Sequence, residues 1–182
     1  MKGRKSWAMA YCGMAAALSV ALMLLGAVIP VLMFIAPAVA SFLIATVCIE
    51  CGKTMAWTAY GAVSVLALLF VPDKEEALTF VFLLGYYPLV KPRFEHIRPA
   101  LLRGAAKLAL CNGSILLLYG LVLLLVPGGS ISQDLKATAL AVFLTTLAMG
   151  NVAFLLYDRA LHNLLQIYRI LWQPRLHKML GR

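Results

Sequence analysis

The sequence predicts an all-α fold: a polytopic membrane protein with about six transmembrane helices, followed by a C-terminal amphipathic helix at the membrane interface. Hydrophobic residues make up 63% of the 182 residues, the mean hydropathy is +0.92, and long stretches carry no charge. A soluble domain of this length could not bury so much apolar surface, whereas a bilayer solvates it directly. In addition, fourteen of the sixteen Lys and Arg residues fall on one side of the predicted spans.

Six apolar segments are candidates for crossing the bilayer, which requires about 20 helical residues. Pro30 and Pro37 interrupt the first apolar stretch, so residues 28–36 are predicted to form a turn or broken segment. The fourth segment is the weakest, because its 14 residues reach only about 21 Å and contain Gly85 and Pro88. The predicted spans are residues 8–29, a segment ending near residue 50, and residues 54–71, 77–90, 100–126 and 137–157.

The distribution of positive charge sets the predicted orientation. Three Lys or Arg residues lie at the N-terminus, one is Lys53, five lie in residues 91–107 and five in residues 159–182; only Lys74 and Lys136 lie on the other side. This pattern predicts a multi-pass protein of the cytoplasmic (inner) cell membrane with both termini in the cytoplasm. Because the charges flank the spans, the net charge of +9 indicates attraction to anionic lipid headgroups rather than nucleic-acid binding.

The chain is predicted to consist of a six-span transmembrane domain, residues 1–157, and a cytoplasmic basic tail, residues 158–182. The helical spacing of apolar residues in the tail predicts an amphipathic helix at the cytoplasmic interface. A simple interfacial anchor and a docking surface for a cytoplasmic partner both explain this pattern. The apolar residues concerned are Leu161, Leu164, Leu165, Tyr168, Leu171 and Trp172.

Small residues form one face of the first predicted span. Gly13, Ala17 and Ala21 recur every four residues, and such faces allow close approach of helices in lipid. Packing against another helix of the same chain explains the pattern. The functional alternative is docking of a separate membrane subunit.

Asp73, Glu75 and Glu76 form an acidic cluster at the predicted outer start of the fourth span. Acids at this position could attract a cationic substrate. However, Asp73 followed three positions later by Glu76 also fits a capping box, and negative charge favours a helix N-terminus. Capping is the preferred interpretation.

The sequence contains no pattern that indicates an enzyme, a cofactor or a metal site. Cys48 and Cys51 have C-x-x-C spacing, but no second pair completes the four ligands of a zinc site. With Cys12 and Cys111, they are predicted to be small apolar residues in a reducing setting. No predicted span has a charged residue at its centre, which argues against an antiporter, a pump or an acid–base hydrolase. We therefore expect no catalytic residue, no metal and no cofactor.

Neutral polar residues remain in the predicted spans as candidates for ligand recognition. Asn112 and Tyr119 share a face of the fifth span, and Thr138 and Thr145 share a face of the sixth. With Phe80, these residues could line an outward-facing pocket that recognises a small molecule by hydrogen bonds and stacking. Hydrogen bonding between helices and core packing explain the same residues without a ligand.

These features resemble the substrate-binding S components of energy-coupling-factor (ECF) vitamin transporters: six spans in fewer than 200 residues, both termini inside, and a small-residue face on the first helix. The motif PAVA at residues 37–40 and the motif ECGK at residues 50–53 are also similar to that family. VPDKE at residues 71–75 and GYYP at residues 85–88 resemble a group of small uncharacterised bacterial membrane proteins. The likeness covers nearly the whole chain, through topology and loose motifs.

In that family, the S component captures a vitamin or metal ion from outside and then associates with a transmembrane coupling subunit carrying two cytoplasmic ATPases. The resemblance implies that Gly13, Ala17 and Ala21 contact the coupling subunit and that ATP is hydrolysed on the partners. Family members often cover the ligand with a polar loop between the first two helices, whereas residues 28–36 are apolar here. We therefore expect a ligand with an apolar or aromatic body.

The leading hypothesis is a membrane-embedded substrate-capture subunit for uptake of a vitamin-like small molecule, energised by partner ATPases. The alternative is a non-transport membrane scaffold or assembly subunit that acts through its basic cytoplasmic face. A membrane enzyme is the third hypothesis and has the least support, because acid–base residues are missing from the spans.

Overall fold

The computed structural model describes residues 2–95, 98–125 and 131–174, and over these ranges the chain is helical without a strand. A 3-10 turn at Pro30–Leu32 and π-helical turns at Phe80–Leu84 and Tyr168–Trp172 accompany the α-helices. The predicted all-α class is confirmed. The α-helices are α1 (Lys2–Val28), α2 (Ile35–Cys51), α3 (Lys53–Phe70), α4 (Lys74–Thr79), α5 (Tyr87–Glu95), α6 (Ala100–Leu125) and α7 (Ile131–Ile167).

Three stretches in the described part of the chain are long and apolar enough to cross a membrane. They are Ser6–Val28 in α1, the whole of α3, and Leu101–Leu118 in α6. Helix α2 is also apolar but has only 17 residues. These helices support association of the chain with a membrane, and the count of six crossings stays a prediction.

The segment predicted as the fourth span is divided into several short helical pieces. Helix α4 has six residues and is followed by the π-helical turn, a bend at Gly85 and Tyr86, and then α5. A Cβ at residue 85 would lie 2.8 Å from the Phe80 carbonyl oxygen and 2.8 Å from Tyr60 Cε2. Only glycine therefore fits at this bend, where the sequence predicts a loosened backbone.

The chain forms two compact units. The first contains the residues up to Pro92 together with those from Arg159 onward, and the second contains Arg93–Asp158. In the first unit, α1 packs against both α2 and α3, and α2 packs against α3. The core of this unit consists mainly of small and branched residues from these three helices, which allows their backbones to approach closely.

One face of α1 is committed to this core. Ala15, Ser19 and Met23, spaced by four residues, are all buried. The Ser19 hydroxyl donates to the Ala15 carbonyl at 2.8 Å and lies 3.4 Å from the Ala40 carbonyl of α2. The buried hydroxyl is thereby satisfied at the α1–α2 contact, as burial of a polar group requires.

The connections in the first unit follow the breaks in the sequence. Between α1 and α2, the 3-10 turn lies within the predicted broken segment, residues 28–36. Between α2 and α3, Gly52 is the single connecting residue and has φ +91°. Because a side chain is strained at that φ, glycine permits this abrupt change of direction.

The second unit contains α6 and the part of α7 up to Asp158. The Lys107 ammonium donates to the Asp158 carboxylate at 2.6 Å, and both side chains are largely shielded from solvent. Near the middle of the two helices, a Cβ at residue 150 would lie 3.2 Å from Ile115 Cδ1, so glycine allows close packing there. An ion pair and the packing of the Ile115 side chain against Gly150 therefore join these two helices.

The tail predicted to begin at residue 158 starts inside α7, since that helix continues without a break to Ile167. Leu161 and Tyr168 are buried in the first unit, whereas Leu164, Leu171 and Trp172 are exposed. The described part of the tail is therefore a helix that buries one narrow stripe and leaves other apolar residues of the predicted face accessible.

Candidate functional site

The small-residue face of α1 is exposed. Gly13, Ala17 and Ala21 are all accessible along this helix, and a Cβ built at residue 13 meets nothing within 4 Å. The buried stripe through Ala15, Ser19 and Met23 lies on another face. The predicted docking residues are thus not used for the packing of α1 against α2 and α3.

Phe80, a predicted ligand-binding residue, is completely buried in the first unit. Its ring centroid lies 6.1 Å from that of Tyr60, and the Tyr60 ring is 6.5 Å from that of Tyr86. The Tyr60 hydroxyl donates to the Val81 carbonyl at 2.7 Å, which fixes the ring against the π-helical turn. Phe80 therefore belongs to a packed aromatic cluster beside that turn.

The other four predicted ligand-binding residues are in the second unit. The Asn112 amide oxygen is buried and has no hydrogen-bond partner among the described residues. Thr145 is exposed and interacts with neighbouring groups. Tyr119 and Thr138 lie on α6 and α7, but their side chains fall outside the described part of the structure.

Asn151 is a polar residue in α7 that the sequence interpretation did not select. Its amide oxygen is buried and, among the described residues, has no hydrogen-bond partner. The adjoining Gly150 packs closely on Ile115, one helical turn beyond Asn112. Both amides therefore lie near the contact of α6 with α7. The sequence feature that could have identified Asn151 is an isolated Asn next to a Gly in an otherwise apolar helix.

The burial of the Glu76 carboxyl in the first unit was not predicted from the sequence. Its side chain is 1% exposed, and neither carboxylate oxygen has a hydrogen-bond partner in the described structure. A Cβ at residue 26 of α1 would overlap Glu76 Oε1 and would lie 2.7 Å from the Ala36 Cβ of α2. The carboxyl group is therefore packed directly onto the backbone of α1, close to the start of α2.

Asp73 has the capping role that the sequence predicts. Its carboxylate accepts hydrogen bonds from the Glu75 and Glu76 amides, at 3.0 Å and 3.4 Å, at the start of α4. Glu76 does not complete the capping box, because its carboxylate is buried without a hydrogen bond. Burial, reinforced by the nearby Asp73, raises the pKa of Glu76 to about 7. The acidic cluster thus divides into a capping residue, exposed Glu75 and buried Glu76.

A second polar cluster joins the tail to the opposite end of the first unit. The Tyr11 hydroxyl donates to Thr46 Oγ1 at 3.1 Å and lies 3.2 Å from the Tyr168 hydroxyl. Tyr168 in turn donates to Glu50 Oε1 at 3.2 Å. Three segments, α1, α2 and the tail, are therefore tied together by hydroxyl groups, which sequence inspection did not reveal.

The four cysteines are free thiols, and two of them lie within hydrogen-bonding distance of a carbonyl on another helix. Cys12 Sγ lies 3.7 Å from the Met55 carbonyl, and Cys51 Sγ lies 3.7 Å from the Ala8 carbonyl. Over residues 2–95, 98–125 and 131–174, no group of three or more His, Cys, Asp or Glu side chains is arranged to hold a metal ion. His162 lies 3.1 Å from the Gln166 amide nitrogen, one turn away on α7.

Comparison of the chain with protein-family models, with curated proteins and with solved structures finds no match. The likeness to S components consequently stays a prediction from the sequence.

Proposed function

We propose that the chain is a membrane-embedded substrate-capture subunit for the uptake of a vitamin-like small molecule, energised by ATPases on partner subunits. It binds its ligand at the outer face of the membrane, has no enzymatic activity of its own and hands the ligand on through a coupling subunit. In this proposal the chain crosses the cytoplasmic membrane six times, with both termini in the cytoplasm.

The exposed face of Gly13, Ala17 and Ala21 is the observation that carries the proposal. In lipid, helices associate through close packing and interhelical hydrogen bonds, because the hydrophobic effect no longer drives them together. Helix α1 packs with one face inside its own unit and presents a second face of small residues. This second face is suited to packing against a further helix. This supports a partner subunit packed along α1.

The polar groups of the second unit support a small-molecule ligand. The amide oxygens of Asn112 and Asn151 are buried in an apolar helix pair and lack hydrogen bonds from the described residues. A buried acceptor without a donor costs about 1–3 kcal/mol. A ligand with a hydrogen-bond donor would recover this free energy by donating to the amide oxygens. A helix pair with a purely structural role offers no such donor from its described residues.

The docking half of the proposal is tested by co-purification of the full-length chain from membranes of its native cell. Gly13→Leu fills the exposed face of α1. Gly61→Leu is a matched control, since residue 61 is also an exposed helical glycine with open space for a Cβ. We expect a transmembrane partner with ATPases to co-purify with the wild type and with Gly61→Leu, and to be lost with Gly13→Leu. Repeated absence of any ATPase-linked partner from the wild type would contradict the proposal.

The ligand half separates a capture subunit from a scaffold, because a scaffold would also lose its partner in Gly13→Leu. A ligand that binds only the folded protein raises the free energy of unfolding by RT ln(1 + [L]/Kd) and thereby raises the melting temperature. We expect one vitamin-like compound from a panel to stabilise the purified wild type and to stabilise Asn112→Leu less. If no compound raises the melting temperature, the scaffold explains the docking face better.

A further inference from the structure

We propose that Glu76 is a proton-binding site, and that protonation of its carboxylate closes the end of the first unit where α1, α2 and α4 meet. The proposal goes beyond the proposed uptake function, because it requires neither a ligand nor a partner subunit.

Burial without a partner is the first step of the argument. Glu76 is fully buried, and both carboxylate oxygens lack a hydrogen bond from any described residue. Burying an ionised carboxylate under these conditions is so costly that the group takes up a proton instead. The closed arrangement is therefore compatible with the neutral carboxyl and not with the charged one.

The space around the carboxyl limits what could neutralise it. The oxygen Oε1 approaches the Gly26 backbone so closely that a methyl group there would overlap it, and that methyl group would also lie 2.7 Å from the Ala36 Cβ. A metal ion of the calcium or magnesium type takes about six to eight oxygen ligands, whereas in the described part of the chain no cluster of three or more His, Cys, Asp or Glu side chains is arranged to hold one. A proton needs no further ligands and no additional volume.

The parts of α1 and α2 that lie nearest to Glu76 supply no positive charge. Residues 6–28 of α1 and 35–49 of α2 contain no charged residue. Their titratable groups, Tyr11, Cys12 and Cys48, are at least 12 residues along the helix from Gly26 or Ala36, or about 18 Å at 1.5 Å per residue.

Groups on the remaining elements are also committed elsewhere. From α3, the Tyr60 hydroxyl is bonded to Val81. On α4 itself, Lys74 donates to the Leu68 and Val71 carbonyls, at 2.9 Å and 3.0 Å. Asp73 caps the helix, and its negative charge opposes ionisation of Glu76 further.

Ionisation of Glu76 would require water at the carboxylate, and the side chain is too deeply buried for water to reach it in the closed arrangement. The site must then open, with α4 moving away from the ends of α1 and α2. The folded protein holds this proton up to about pH 7, while the unfolded chain loses it near pH 4.5. Between these values the folded state binds more protons, so stability falls as pH rises and levels off above about pH 7.

The test measures the apparent melting temperature of the full-length protein in detergent from about pH 5 to about pH 8. The variants are Glu76→Gln, which imitates the neutral carboxyl, and Glu75→Gln, an exposed neighbour that serves as the matched control. We expect the melting temperature of the wild type and of Glu75→Gln to fall by several degrees over this range. For Glu76→Gln the fall should be absent, and its melting temperature near pH 8 should exceed that of the wild type.

Two results would overturn the proposal. One is a Glu76→Gln profile with the same fall as the wild type. The other is a melting temperature of the wild type near pH 8 that sodium or potassium chloride restores and choline chloride does not, since this would make Glu76 a metal-cation site. Should Glu76→Gln fail to fold, amide exchange of the wild type decides: exchange in residues 73–80, corrected for intrinsic pH effects, must accelerate as pH rises, and unchanged protection would refute the proposal.

Discussion

Glu76 of α4 packs directly against Gly26 of α1. The glycine has no side chain, so the Glu76 carboxyl can rest on the backbone of α1 beside Ala36. This arrangement explains why a carboxylic acid is tolerated at 1% exposure: the neutral group packs as a small planar side chain. The same contact makes the site sensitive to volume as well as to charge.

Gly26→Ala is predicted to destabilise the protein by about 1–3 kcal/mol, the usual cost of overpacking. The added methyl group would overlap Glu76 Oε1 and crowd Ala36, so the α4 segment must shift. Reversible unfolding in mixed micelles measures this change. Gly61→Ala is the control, because open space at residue 61 should let alanine stabilise the helix by about 0.5–1 kcal/mol. Equal stability of Gly26→Ala and wild type would show that the contact is not tight.

Sequence patterns anticipated some residue roles and missed others for a physical reason. The cap at Asp73 depends on amides two and three positions away, so it can be inferred from local spacing. The burial of Glu76 depends on Gly26 and Ala36, which approach it only after the helices pack. Likewise, the exposure of Gly13 follows from which face of α1 meets α2 and α3, and spacing alone does not determine it.

At the scale of elements, the apolar helices and their breaks were the predictable part. Pro30 and Gly52 mark the two connections between the first three helices, and the structure contains both. The fourth segment was harder, because its hydrophobicity suggests one span whereas close packing at Gly85 divides it into short pieces. The attachment of the tail to the first unit could not be predicted from local sequence patterns, because Tyr11 and Tyr168 are 157 residues apart in sequence.

Tyr168→Phe is predicted to weaken the attachment of the tail to the first unit by about 1.5 kcal/mol, because it removes the hydroxyl that bonds to Glu50 and contacts Tyr11. Burial raises the pKa of Tyr168, so the phenol stays protonated and continues to donate at any physiological pH. Limited proteolysis of the tail measures the change as faster cleavage. Ile170→Val, at an exposed position in the same turn, should cleave at the wild-type rate. A Tyr168→Phe protein as resistant as the wild type would show that packing alone holds the tail.

The whole chain combines apolar helices that support membrane association, an exposed small-residue face on α1 and a buried carboxyl, Glu76, at one end of the first unit. Three described helices are long and apolar enough to span the bilayer. The positive charges predict that the Gly52 turn and both termini face the cytoplasm, while the Asp73 cap and Glu76 face outside. An outward location would expose Glu76 to the external pH whenever the site opens.

The six predicted membrane crossings are tested by the topology of the chain in intact cells. Membrane-impermeant labelling of single introduced cysteines is measured on a background in which the four native cysteines are replaced. We predict that positions 2, 53 and 174 react only after the membrane is opened, whereas position 72, before the Asp73 cap, reacts in intact cells. Labelling that places positions 2 and 174 on opposite sides of the membrane would contradict the six-span account and its outward-facing ligand site.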